Sequence, residues 1–169
     1  MANLLIERVI ALDLRSRKFG YVIFEGPRTL LDWGIRTHLN AKHSLLERRL
    51  RDLSSMFAPS IVLVRRTPRL QRANQSMIPT ASLVVKRFAR REPLAMRVID
   101  YSTQRAFFSE STKVNKHDIA RIVADRFPEL SWRLPPKRKP WQSEPTRQSI
   151  FDAASLGIYY FQQQKARHL

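Results

Sequence analysis

The chain has 169 residues, of which 43% are apolar and 9% aromatic; this is enough for one domain with a buried core and too apolar for a disordered tail. It contains no cysteine, which excludes disulfides and thiolate metal sites and fits a reducing cytoplasm, the expected compartment. Thirty-one Lys and Arg against fourteen Asp and Glu give a net charge of +17, an excess that repels itself unless a polyanion neutralises it, so nucleic acid is the expected partner rather than an acidic protein or a membrane surface.

The opening MANLLIERVIALD is interrupted by Glu7 and Arg8 and lacks a small-residue cleavage pattern. It is therefore expected to lead into the first strand, not to act as a targeting segment. No apolar run approaches the ~20 residues a membrane span needs. Residues 8-RVIALD-13, 19-FGYVIFE-25 and 30-LLDWGIR-36 read as three short strands. The basic loop 15-RSRK-18, Gly20 and the Gly26-Pro27 pair punctuate them into an antiparallel meander. In 41-AKHSLLERRLRDLSSMF-57, Leu46, Leu50, Leu53 and Phe57 recur at helical spacing, and Pro59 stops the helix. The continuous apolar run 61-IVLV-64 has the pattern of a strand buried on both faces.

A second helix is predicted over 77–92, with Pro79 tolerated in its first turn. Then 96-MRVID-100 reads as another buried strand, and 116-KHDIARIVADRF-127 as a helix with Ile119, Ile122, Val123 and Phe127 along one side. A basic, Pro-rich loop at about 128–145 leads to a last helix from about Thr146 to Gln164. The order βββαβαβαα predicts a single α/β domain over 1–169, with a mixed five-stranded sheet and helices on both faces. Reactive groups in such sheets gather at the carboxyl ends of the parallel strands. Asp13 and Asp100 each end a strand of that kind, whereas Glu25 ends the antiparallel second strand and belongs at the opposite edge.

The segment 10-IALDLRSRKFGYVIF-24 resembles the opening strands of RuvC-type Holliday-junction resolvases of the RNase H-like superfamily, with Asp13, Ser16, Arg17, Gly20 and Tyr21 on the matching pattern. Further along, 59-PSIVLV-64 resembles that family's fourth strand. The stretch 101-YSTQRAFFSESTKVNKHDIARIV-123 is similar to its segment from a Tyr-Pro turn to a Lys-started helix, and 152-DAASLGIYYF-161 to its closing Asp-Ala-Leu-Ala helix. The resemblance implies an RNase H-like fold and four acids holding two Mg²⁺ or Mn²⁺ ions. Such ions prefer carboxylate and water oxygens, and as a pair they activate water and stabilise the leaving oxygen in phosphodiester hydrolysis.

By the same resemblance, Asp13 and Asp152 are the metal and catalytic candidates. The two other acidic positions hold Arg65 and Ser149. A guanidinium ~4 Å from a unit positive charge costs roughly 4 kcal/mol at an effective dielectric near 20, and about twice that against a dication. The preferred reading is an Arg65 salt bridge to Asp13 and Asp152 in place of the metal. Asp100 and Glu144 are the candidates to complete a one-metal site instead.

The candidate nucleic-acid contacts are Arg15, Arg17, Lys18, Arg65, Arg66, Arg69, Arg72, Lys137, Arg138 and Lys139. Lys116 is either an ordinary helix residue or, as the resemblance implies, a phosphate contact. Trp132 and Trp141 flank a basic loop and either stack on unpaired bases or pack on their own fold. His38, His43, His117 and His168 have no metal-like spacing and are expected at the surface. The resulting reading is a RuvC-like protein that binds structured or branched DNA or RNA, its metal-dependent cleavage weakened or lost. The alternative is an active Mg²⁺-dependent endonuclease. The resemblance also implies a homodimer, because a four-way junction presents two symmetric strands.

Overall fold

The computed structural model describes residues 6–38, 43–66, 78–109 and 113–167. Strands β1 (Arg8–Leu14), β2 (Lys18–Glu25) and β3 (Thr29–Thr37) form the antiparallel meander. Strand β4 (Ile61–Arg66) lies parallel to β1, and β5 (Ala95–Asp100) lies parallel to β4, giving the order β3-β2-β1-β4-β5. The helices are α1 (His43–Phe57), α2 (Ile78–Arg91), α3 (Tyr101–Phe108), α4 (Lys116–Arg126) and α5 (Gln148–Arg167), with a 3-10 turn at Pro128–Arg133. None of them is long and apolar enough to cross a membrane.

The sheet is apolar on both faces because each face carries helices. On one side Val9, Ala11, Val22, Phe24 and Leu63 meet Ile119 and Val123 of α4 and Phe151 and Ala154 of α5. On the other, Ile10, Leu12, Phe19, Ile23, Val62 and Val64 meet Leu46, Leu50 and Leu53 of α1 and Val85 and Phe88 of α2. The helical stripe expected at Leu46, Leu50 and Leu53 is thus the buried one. Glu25 lies at the far end of the sheet, as expected, paired with Arg8 at 2.8 Å.

Three expectations need correction. The strand at 96–100 is an edge strand and not a buried one: Arg97 and Val98 are exposed and Ile99 is the core residue. A strand with a neighbour on one side only leaves half its flank to water. Helix α3 was not predicted; it starts directly after β5, with Asp100 in extended backbone at its N-cap. His38 is buried, its ring beside Phe19 and its Nε2 2.9 Å from the carbonyl of Arg15. His117 is half-buried, and the side chains of His43 and His168 lie outside the described residues.

Two glycines, Gly20 of β2 and Gly157 of α5, mark close approaches of the helix to the strand. A Cβ on Gly20 would stand 2.3 Å from the carbonyl oxygen of Ser149, and one on Gly157 would stand 2.2 Å from the Phe24 ring. Eight residues of helix rise about 12 Å and four residues of strand about 13 Å, so contacts at 20/149 and 24/157 stay in step along the two elements. This seating puts the first turn of α5 against the end of β1, because Asp13 and Gly20 are cross-strand partners.

Tyr21 donates to Asp32 Oδ2 at 2.9 Å across β2 and β3. Burial, then the hydrogen bond to Asp32 and its charge, push the phenol up to about 12. A tyrosine in the unfolded chain ionises near ~10. Below ~10 both states are protonated and the contribution to stability is whole; as pH rises towards 12 the unfolded chain ionises first and stability falls. Melting curves across that range should decline more steeply for wild type than for Tyr21→Phe.

Candidate functional site

Side chains alternate along a strand, so Val9, Ala11 and Asp13 of β1 share the face of Ile61, Leu63 and Arg65 of β4. The first two of each set enter the core beneath α5, and the third emerges at the carboxyl end. Helix α5 supplies Gln148, Ser149 and Asp152 in its first turns. Asp13 is 3% exposed and Asp152 4%. The two acids expected to converge do so, on one rim of the sheet, and they meet through cations.

Arg65 Nη2 lies 2.8 Å from Asp13 Oδ1 and 3.5 Å from Asp152 Oδ2. Arg15 reaches the same pair from the loop after β1, with Nε 2.7 Å from Asp13 Oδ2 and Nη2 3.2 Å from Asp152 Oδ2. Its Nη1 contacts Glu144 Oε2 at 3.3 Å. Lys116 Nζ, at the start of α4, sits 2.6 Å from Glu144 Oε1 and 3.4 Å from Asp152 Oδ2. Ser149 Oγ donates to Asp13 Oδ2 at 2.7 Å, and Gln148 Nε2 donates to Asp152 Oδ1 at 3.0 Å. The Arg65 guanidinium also lies over the Tyr101 ring, 5.1 Å from its centroid. Burial alone would lower the pKa of Arg15, but Asp13, Glu144 and Asp152 outweigh it and raise the group further above its ordinary value.

An ionised carboxylate has about four lone-pair sites. Asp152 takes donors from Gln148, Arg15, Arg65 and Lys116; Asp13 takes them from Arg65, Arg15 and Ser149. Those donors stand where a divalent ion would need open oxygens. Among the described residues no three His, Asp or Glu side chains group as metal ligands. The donor set does not fit a pair of divalent ions.

The other predicted residues divide. Glu144 joins the cluster, through Arg15 and Lys116 and not as a third acid beside Asp13 and Asp152. Asp100 does not join it: its carboxylate is half-exposed and 3.8 Å from the exposed Arg66, because β5 ends at the open edge of the sheet. Arg17, Lys137, Arg138 and Lys139 are exposed, and Lys18 donates to Thr146 Oγ1 at 2.7 Å. Trp132 and Trp141 are 65% and 78% exposed, and each is flanked by a cation, Arg133 and Lys139 respectively. Arg69 and Arg72 lie outside the described residues.

Sequence reasoning missed the bridging role of Arg15, the cap on Asp152 by Gln148 and the stacking of Tyr101 on Arg65. Only the first had a signal: Arg15 lies two residues after Asp13, and period-two spacing aims it the same way.

No family model matches the chain, and no curated protein matches its sequence. Solved structures do resemble it. RuvC of Thermus thermophilus in complex with Holliday junction substrate superposes with a TM-score of 0.70 at 13% identity, over 95% of this chain and 96% of that one. A second structure of Thermus thermophilus RuvC gives 0.68 at 13% identity, over 94% of this chain and 96% of that one. The yeast mitochondrial Holliday junction resolvase Ydc2 gives 0.63 at 13% identity, over 96% of this chain and 81% of that one. The chain therefore has the RuvC-type, RNase H-like α/β fold, a mixed five-stranded sheet with helices on both faces.

Proposed function

We propose that this protein binds structured or branched DNA on the cationic rim around Arg15, Arg65 and Lys116, without a divalent ion and without cutting the strand. The occupancy of Asp13 and Asp152 carries the reading: a metal ion would have to expel two guanidinium contacts from carboxylates that are nearly fully buried. Exposed Arg17, Arg66, Lys137, Arg138 and Lys139 and the net charge of +17 supply sequence-independent attraction for phosphate. The likeness to a RuvC held on a Holliday junction favours a branched substrate, and with it a homodimer matched to the junction's symmetry. A second reading, a Mg²⁺- or Mn²⁺-dependent endonuclease, rests on the resolvases that share the fold.

Incubation with a labelled four-way junction separates the two. The expected result is a retarded complex, no nicked product in Mg²⁺ or Mn²⁺, and an affinity indifferent to chelator. Affinity should fall by about 0.9 log unit per log unit of salt for each phosphate neutralised. Metal-dependent product that disappears in Asp13→Ala would overturn the non-cleaving reading. A binding constant that ignores salt would remove the phosphate track.

A further inference from the structure

We infer that the outer half of the ion cluster is a subsite for a single phosphodiester group, and that Glu144 is its internal occupant, displaced when nucleic acid arrives. The inference rests on the nucleic-acid reading above and assigns the first group to be contacted.

Burial grades the cluster from inside to outside. The side chains of Asp13 and Asp152 are 4% and 5% exposed, Arg65 12% and Arg15 22%, whereas Glu144 and Lys116 are 28% and 38% exposed. The inner acids are boxed in by donors; the outer acid faces water. The elements differ as well. Asp13, Arg65, Lys116 and Asp152 stand on strands or helices, but Glu144 comes from the irregular stretch between the 3-10 turn and α5. It can swing away without unwinding an element.

The charges match a phosphodiester. Arg15, Arg65 and Lys116 balance Asp13, Asp152 and Glu144, three against three. Withdrawing Glu144 leaves one positive charge at the exposed end, and one phosphodiester carries one negative charge. The contacts match too. Glu144 offers its two oxygens separately, Oε2 to Arg15 Nη1 at 3.3 Å and Oε1 to Lys116 Nζ at 2.6 Å. The two non-bridging oxygens of a phosphodiester present the same pair of acceptors, and guanidinium and ammonium groups serve both.

The test is titration of a fluorescent four-way junction with wild type, Glu144→Gln and Glu144→Ala, each first checked for a native melting transition. With the competitor neutralised, affinity should rise about five- to tenfold. The salt dependence should also steepen by about 0.9, because the counterion released from the neutralised phosphate is no longer offset by one taken up on a displaced Glu144 carboxylate. Asp52→Asn, which removes an exposed negative charge on α1 at the other face of the sheet, should tighten binding by less than about twofold and leave the slope unchanged. Adding Lys116→Met to Glu144→Gln should cancel most of the gain. If wild type binds the junction while Glu144→Gln and Glu144→Ala behave like Asp52→Asn, or bind more weakly, the inference is overturned and the wider reading stands. If wild type binds no junction at low salt, the wider reading falls and this one with it.

Discussion

Arg65→Leu is expected to lower stability by about 3–5 kcal/mol, the range seen when one partner is removed from a buried ion pair. Arg65 is the cation that touches both inner acids from the floor of the site, and its side chain is 12% exposed. Without it, Asp13 and Asp152 keep Arg15, Ser149, Gln148 and Lys116, so the loss should fall towards the lower end. For a chain of this length that is about 6–12 °C in Tm. Arg65→Lys should lose less, since it retains the charge but exchanges a planar guanidinium, which reaches both carboxylates through Nη2 while lying over the Tyr101 ring, for an ammonium. Chemical denaturation of the three proteins checks the order wild type, Arg65→Lys, Arg65→Leu. A leucine variant as stable as wild type would mean that the cluster is well hydrated, and the case against a metal would weaken with it.

Gly20→Ala is expected to cost about 3 kcal/mol or more, at the top of the range for forcing extra volume into a packed interior. The added methyl would strike the backbone carbonyl of Ser149, which cannot rotate away, so the whole start of α5 must shift. That shift pulls Ser149 Oγ off Asp13 and opens the contacts of Asp152, so DNA affinity should fall along with Tm. Gly157→Ala meets the Phe24 ring, itself hemmed by Phe127 and Phe161, and should be costly to fold while leaving the site's hydrogen bonds in place. Unfolding midpoints and junction affinities for both variants test this. If Gly20→Ala melts like wild type, α5 is not seated on β2 as described.

Most of the architecture was legible because it follows from local periodicity. The apolar runs at 8–13, 19–25 and 61–64 each became a strand, and the leucine stripe of α1 became its buried face. Asp13 and Asp152 were legible as partners only through the resemblance to the RuvC-type resolvases, whose acidic positions they match. Arg65 was legible by the same resemblance, standing where that family's fourth strand carries an acid. What resisted were features decided by neighbours distant in sequence. Nothing in 96-MRVID-100 says that, among the described residues, its outer flank has no strand beside it, and Val98 is apolar yet exposed. Nothing in the loop before α5 says that Glu144, and not Asp100, comes to rest beside Lys116; that depends on where the loop crosses the sheet edge.

The groups of the ion cluster come from opposite ends of the chain: Arg15 and Asp152 are 137 positions apart. Closing so long a span costs entropy that only docking of the last helix returns. During synthesis on the ribosome, Asp13 and Arg65 must therefore wait in water until α5 has been made and has left the exit tunnel. A chain stalled before Asp152 should then stay open to proteases however well its first three strands have paired.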